Sequence, residues 1–289
     1  WYPLTDFNSL WMNMFAVTID PNNPNTIYAG SNANVVIKSL DAGATWAPIN
    51  TGMTGIIRKI VVDPANSNNV FVCAANGIWR STNGGGAWTR TFTGTAMEDL
   101  DFKPGNSSVI YATSSSVVLR SADAGLTWTT LSTTQGITAS GRSLVAVSAA
   151  NPERVYIAQA NGNEFGKLYI SNDAGISFTV AVEGSSAGCT NFFGYETTGC
   201  GTGGQAGYDM ALVANPSNAN EIYLAGIIVF KSTDAGKTFA PVTAWSYPNS
   251  IGYNHADVHA MEWSRSTIYS GSDGGIFKSV DFADNWIDL

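Results

Sequence analysis

The chain has 289 residues, of which 44% are apolar and only 12% charged, against about 25% charged in an ordinary soluble domain, and its net charge is -8. It is too apolar for a disordered chain, its 30 glycines keep no collagen-like period, and no run approaches the roughly 18 apolar residues of a membrane-spanning helix. The acidic balance also excludes duplex nucleic acid as a partner.

Read in chain order, the sequence is a repeat. Trp1-Tyr-Pro-Leu-Thr-Asp resembles Trp46-Ala-Pro-Ile-Asn, and so predicts an orphan terminal strand of a blade whose earlier part is absent or lies upstream. A motif then appears as Ser39-Leu-Asp41-Ala-Gly43-Ala-Thr45-Trp46 and returns at Ser81–Trp88, Ser121–Trp128, Ser171–Phe178 and Ser232–Phe239, with a degraded copy at Ser279–Trp286. The second copy has Asn83 in place of Asp, and the sixth has Ala283 in place of Gly. Each unit also carries a Val/Ile/Leu/Met-rich strand ending near a turn such as Asp63-Pro-Ala-Asn. A strand such as Thr26-Ile-Tyr-Ala-Gly or Glu221-Ile-Tyr-Leu follows, then a short third strand such as Gly77-Ile-Trp-Arg-Ser and a fourth leaving with the aromatic residue. No helical period competes with these short β-branched and aromatic runs. Repeats of about 40 to 60 residues fit four-stranded antiparallel β-propeller blades. The predicted fold is therefore all-β: one propeller domain over 1–289 with six repeat units plus the N-terminal strand, or else part of a seven- or eight-bladed propeller. An Asp at such a turn accepts bonds from the backbone N–H groups that follow, and the glycine supplies a left-handed conformation, so the recurring aspartates read as structural.

The Ser-x-Asp-x-Gly-x-Thr-Trp copies resemble the Asp-box (BNR) repeats of β-propellers, a pattern found in sialidases, sortilin-type receptors and xyloglucanase-type glycoside hydrolases. The order of Phe102-Lys-Pro-Gly-Asn106, Asn215-Pro-Ser-Asn218, His255-Ala-Asp-Val-His259 and Gly271-Ser-Asp-Gly-Gly resembles multi-repeat secreted proteins of Bacteroidetes. The resemblance implies the propeller fold along the whole chain. It leaves activity open, because propellers host unrelated functions.

Cys189 and Cys200 lie 11 positions apart in a Gly-rich loop, a spacing compatible with a disulfide, whereas Cys73 reads as a buried small hydrophobe. Scarce lysine, abundant Asn and Thr, and that disulfide suggest a secreted or bacterial cell-surface protein, a mature chain or part of a longer one with further domains.

Excess loop length marks the decorated face. Residues 183–206 and 242–255 connect one unit to the next on either side of unit five, so they are expected to meet. They carry Phe192, Phe193, Tyr195, Glu196, Trp245, Tyr247 and Tyr253, with Tyr208 close by. Aromatic side chains over an acidic rim suit a sugar; the alternative is a satellite core beneath the loops. Asp209 and Asp257 align near the starts of two inner strands, and both histidines flank Asp257. Strand alternation would point His255, Asp257 and His259 to one face. With Asp209 they are candidate ligands of a divalent metal ion, although no cofactor is required. Asp209 and Asp257 are alternatively an acid–base pair, or part of a hydrogen-bonded polar plug. Asp273, in its glycine turn, is a third catalytic candidate.

Two functions follow. The favoured one is a non-catalytic extracellular recognition propeller binding a glycan or a protein, with Tyr195, Glu196, Tyr208, Trp245, Tyr247, Tyr253, His255 and His259 as ligand-binding candidates. The alternative is a glycoside hydrolase acting on a polysaccharide through an Asp/Glu pair. No arginine trio supports a sialidase, and no serine-hydrolase elbow or nucleotide-binding loop occurs.

Overall fold

The computed structural model describes residues 13–49, 52–246 and 252–289. These form six four-stranded antiparallel sheets, each with its strands in chain order, which are blades of the β-propeller class. The only helical element among the described residues is one 3-10 turn, Thr133–Gln135. The predicted strand at Trp1 lies outside the described residues. The chain divides into two compact units, Trp1–Thr130 and Leu131–Leu289. Blades one to three belong to the first, with the last strand of blade three, Thr129–Leu131, ending at the division; blades four to six belong to the second.

Sheets stacked on both faces leave little room for polar alternation, which explains the continuous burial of the second strands. Val70–Ala74 in the first unit and Ile222–Ala225 in the second are buried at every position. Each unit has its own cores between neighbouring blades: Tyr28, Val36, Ile57, Ile60 and Val72 in one cluster, for example, and Leu168, Leu212, Ile222, Leu224 and Phe230 in another. Cys73 is buried, as expected.

The repeated turn is built as its residue types predict. Ser39 Oγ donates to Asp41 Oδ1 at 2.8 Å and accepts from the Gly43 N–H at 2.8 Å. Asp41 also accepts from the Thr45 N–H at 2.8 Å and the Thr45 hydroxyl at 2.6 Å. The same bonds recur around Asp123, Asp173 and Asp234. Asn83 reproduces the Oδ1 half of the pattern, accepting from Ser81 and Ala87. At the sixth turn Ala283 takes the left-handed conformation itself, with φ 70°. Gly236 shows why glycine is otherwise favoured: its φ is 83°, and a Cβ there would lie 2.2 Å from Leu168 Cδ2.

Candidate active site at the loop end of blades five and six

The second unit carries both long connections. The first leaves the outer strand of blade four, Thr179–Glu183, and ends at the inner strand of blade five, Ala211–Ala214; the second leaves Ala240–Pro241 and ends at the inner strand of blade six, Val258–Ser264. Inside the first, the Cys189–Cys200 disulfide is formed. Asn191 is its hub: the buried amide donates to the Gly201 and Gly203 carbonyls at 2.9 and 2.8 Å and accepts from the Phe165 N–H at 2.9 Å. Phe192 and Phe193 point down, with Phe192 packed on Phe165, Phe230 and Phe239 at ring separations of 4.6 to 5.2 Å. These two form a core under the loop. Tyr195, Trp245 and Tyr253 stay exposed, as does Glu196. The two connections do meet, through Trp245 Nε1 donating to the Tyr195 carbonyl at 3.3 Å. Tyr247 lies outside the described residues.

Asp209 sits in a turn closed by its own N–H on the Gln205 carbonyl at 3.0 Å. Its side chain is buried, and neither carboxyl oxygen has a hydrogen-bond partner. Burial, reinforced by the charge of Asp257, pushes its pKa up to about 7, so the carboxyl holds a proton near neutrality. Asp257 is fixed differently. Gln205 Nε2 donates to its Oδ1 at 3.1 Å, its carbonyl accepts from the Asp273 N–H at 3.2 Å, and its backbone is left-handed, with φ 63°. Asn254, three residues before, is buried with both amide atoms unpartnered.

Asp273 accepts from His259 Nε2 at 2.7 Å and from the Tyr208 hydroxyl at 3.0 Å, while the Tyr208 and His259 rings meet edge to face at 4.8 Å. The His259 bond, aided by Tyr208, holds the Asp273 carboxyl below the usual range, and the Tyr208 hydroxyl's own bond to Asp273 pushes the phenol up.

The histidines part company. The left-handed Asp257 and a register shift between Val258 and Ala260 break the strand alternation that was expected to align 255, 257 and 259. His255 instead donates from Nδ1 to the Ala256 carbonyl at 3.1 Å and packs against Gly274, where any Cβ would fall 2.1 Å from its Cγ. Among the described residues no three His, Cys, Asp or Glu side chains gather as a metal-binding group.

Two participants escaped the sequence reading. Gln205 orients Asp257. Arg142, which donates to the Ala206 carbonyl at 3.1 Å, opposes the rise of the Asp209 pKa. Arg142 immediately precedes the inner strand of blade four, as Asp257 precedes that of blade six, so an alignment of inner-strand starts is the signal that finds it.

No family model matches the chain. It is 27% identical to a xyloglucanase of Hypocrea jecorina (strain QM6a), over 95% of this chain and 39% of the relative. It is 23% identical to the xyloglucanase Xgh74A of Acetivibrio thermocellus, over 91% and 37% respectively. Among solved structures, a GH74 enzyme of Niastella koreensis superposes with a TM-score of 0.73 at 22% identity, covering 99% of this chain and 49% of that one. The chain thus spans under two-fifths of the length of these xyloglucanases. The sequence relatives are enzymes, and they overturn the expected non-catalytic recognition role; the glycoside hydrolase alternative fits them. The disulfide fits an oxidising compartment, and no helix among the described residues is long and apolar enough to cross a membrane.

Proposed function

We propose that this chain is part of a glycoside hydrolase acting on a polysaccharide of the xyloglucan type, with its candidate site at the loop end of blades five and six. The observation that carries the reading is the 27% identity to the Hypocrea jecorina xyloglucanase along 95% of the chain. Glycoside hydrolysis needs one carboxyl that donates a proton to the leaving oxygen and a second that is ionised. Asp209 suits the first role, because burial and the neighbouring Asp257 leave it protonated up to about pH 7. Asp257, whose carboxyl is oriented by Gln205, is the candidate partner. Because Asp209 is only 1% exposed, donation to a sugar requires the Gln205–Asp209 turn to open. The Tyr208–Asp273–His259 cluster then supports the rim, and Tyr195 and Trp245 offer exposed ring faces to a sugar. On this reading the repeated turns are Asp-boxes, the partner is a glycan and the protein acts outside the cell.

The test is hydrolysis of xyloglucan by the chain, followed as new reducing ends, alongside calorimetric binding of xyloglucan oligosaccharides. Asp209→Asn and Asp257→Asn should each lower kcat by roughly a hundredfold or more, in the range of a lost general acid or base. Activity should also fall above about pH 7 as Asp209 loses its proton. Neither cleavage nor oligosaccharide binding by the wild-type chain, or full activity in both variants, overturns the proposal.

A further inference from the structure

A second pocket lies away from these loops, on the side of the repeated turns, beside the one repeat that departs from a rule. In five repeats the residue before the turn serine is basic: Lys38, Arg80, Arg120, Lys231 and Lys278. In blade four it is Ile170. Two of the basic residues, Lys38 and Lys231, act as struts between neighbouring blades. In the first unit Lys38 Nζ and the Tyr28 hydroxyl both donate to the Gly84 carbonyl in the turn of blade two, at 2.8 and 3.2 Å. In the second unit Lys231 Nζ and the Tyr223 hydroxyl converge in the same way on the Phe282 carbonyl of blade six, at 2.8 and 2.9 Å. The equivalent carbonyl of blade five belongs to Ala235 and receives neither bond. Ile170 has no donor, and the Tyr156 hydroxyl turns instead to the Ala219 carbonyl at 2.6 Å.

Beside Ile170 lies a cavity of about 660 Å³ between blades four and five, a volume within the roughly 300–1,000 Å³ of small-ligand sites. Ile170 and Val180 give it apolar surface, and Arg154 and Lys237 bring two cations to its wall. Neutral groups, not carboxylates, hold the Arg154 guanidinium: Nε donates to Asn172 Oδ1 at 2.9 Å, Nη1 donates to Asn220 Oδ1, and the Tyr156 hydroxyl is a third partner. Asp234 shares the wall, but its oxygens are taken by Ser232, the Lys237 N–H and Thr238 of its own turn.

We infer that this cavity between blades four and five is a glycan subsite for a carboxylate-bearing sugar, a uronic acid residue, gripped by Arg154 and Lys237 against Ile170 and Val180. A planar guanidinium with a second cation suits a carboxylate, and the apolar surface suits the ring face of a pyranose. The amides of Asn172 and Asn220 and the Ala235 carbonyl are placed to meet hydroxyl groups.

The test titrates the whole chain with trigalacturonate and, as the neutral counterpart, cellotriose, read by calorimetry. Trigalacturonate should bind, with cellotriose at least tenfold weaker. Ile170→Lys, which restores the strut seen at Lys38 and Lys231, should abolish trigalacturonate binding without lowering the melting temperature. Arg154→Gln should weaken it by roughly tenfold or more, the scale of one lost charge-assisted hydrogen bond. No binding at millimolar trigalacturonate overturns the inference, as do equal affinities for the two sugars. If Ile170→Lys impairs folding, Arg154→Gln and Lys237→Gln decide: unchanged affinity in both overturns it equally.

Discussion

The turn aspartates and Asp209 are the same residue type in opposite surroundings. Asp41 is exposed and Asp123 half-buried, both are saturated with donors, above all the hydroxyls of Thr45 and Thr127, and their pKa falls to about 2. The Asp209 carboxyl is buried without a hydrogen-bond partner, and its pKa rises to about 7. The recurring acids hold turns closed. The acid that occurs once, in a connection of irregular length, is the one left with chemical potential to spare. Regularity and reactivity are separated in this molecule by whether a carboxylate finds partners within its own turn.

The comparison is broken most forcefully at the base of the long connection. Phe193 is fully buried beneath the loop that leads to Asp209, so Phe193→Ala should destabilise the chain by about 3–5 kcal/mol in urea unfolding. A loss below 1 kcal/mol would show that the loop is decoration resting on a finished fold. Next comes Asp234→Ala, which strips a turn of its acceptor for Ser232, Lys237 and Thr238. It should cost about 1–3 kcal/mol while leaving kcat on xyloglucan unchanged, the reverse of Asp209→Asn. Acid and alkali sharpen the contrast further. The turn carboxylates, depressed to about 2 from 3.8, contribute stability that is lost as pH falls from about 4 towards 2. Asp209, raised from 3.8 to about 7, binds its proton more tightly in the folded chain, so stability should decline as pH rises from about 4 to 7. Asp209→Asn should flatten that upper limb and leave the acid limb in place, as measured by melting temperature against pH. The smallest effect is expected at Asn83→Asp. Ala87 offers no hydroxyl to a second carboxylate oxygen, so the gain should stay below about 0.5 kcal/mol in urea unfolding.

What could be read from the sequence follows the range of the interactions. The six units were legible because their determinants are local: alternating strand residues, a serine and an aspartate two positions apart, a glycine two further on. The aromatic residues of the long connection were legible as a group, but not their division, since the descent of Phe192 onto Phe239 and the exposure of Tyr195 depend on how Asn191 and the disulfide fold the loop. Around Asp257 the sequence misled. A left-handed residue and a shifted register look like ordinary strand in the letters, and only the backbone reveals that His255 turns to Gly274 while His259 reaches Asp273. Gln205 was invisible because its partner lies 52 positions away.

The left-handed backbone of Asp257 has an evolutionary side. Glycine adopts φ 63° at little cost, whereas a residue with a side chain gives up on the order of 1 kcal/mol there. The bonds on either side, Val258 N–H to the Gly226 carbonyl and Asp273 N–H to the Asp257 carbonyl, hold the conformation in place. A sequence drifting under selection for stability alone would slide towards glycine at this position. Random variation at 257, screened first for thermal resistance and then for turnover, should therefore separate into two populations: tougher and idle, or softer and working.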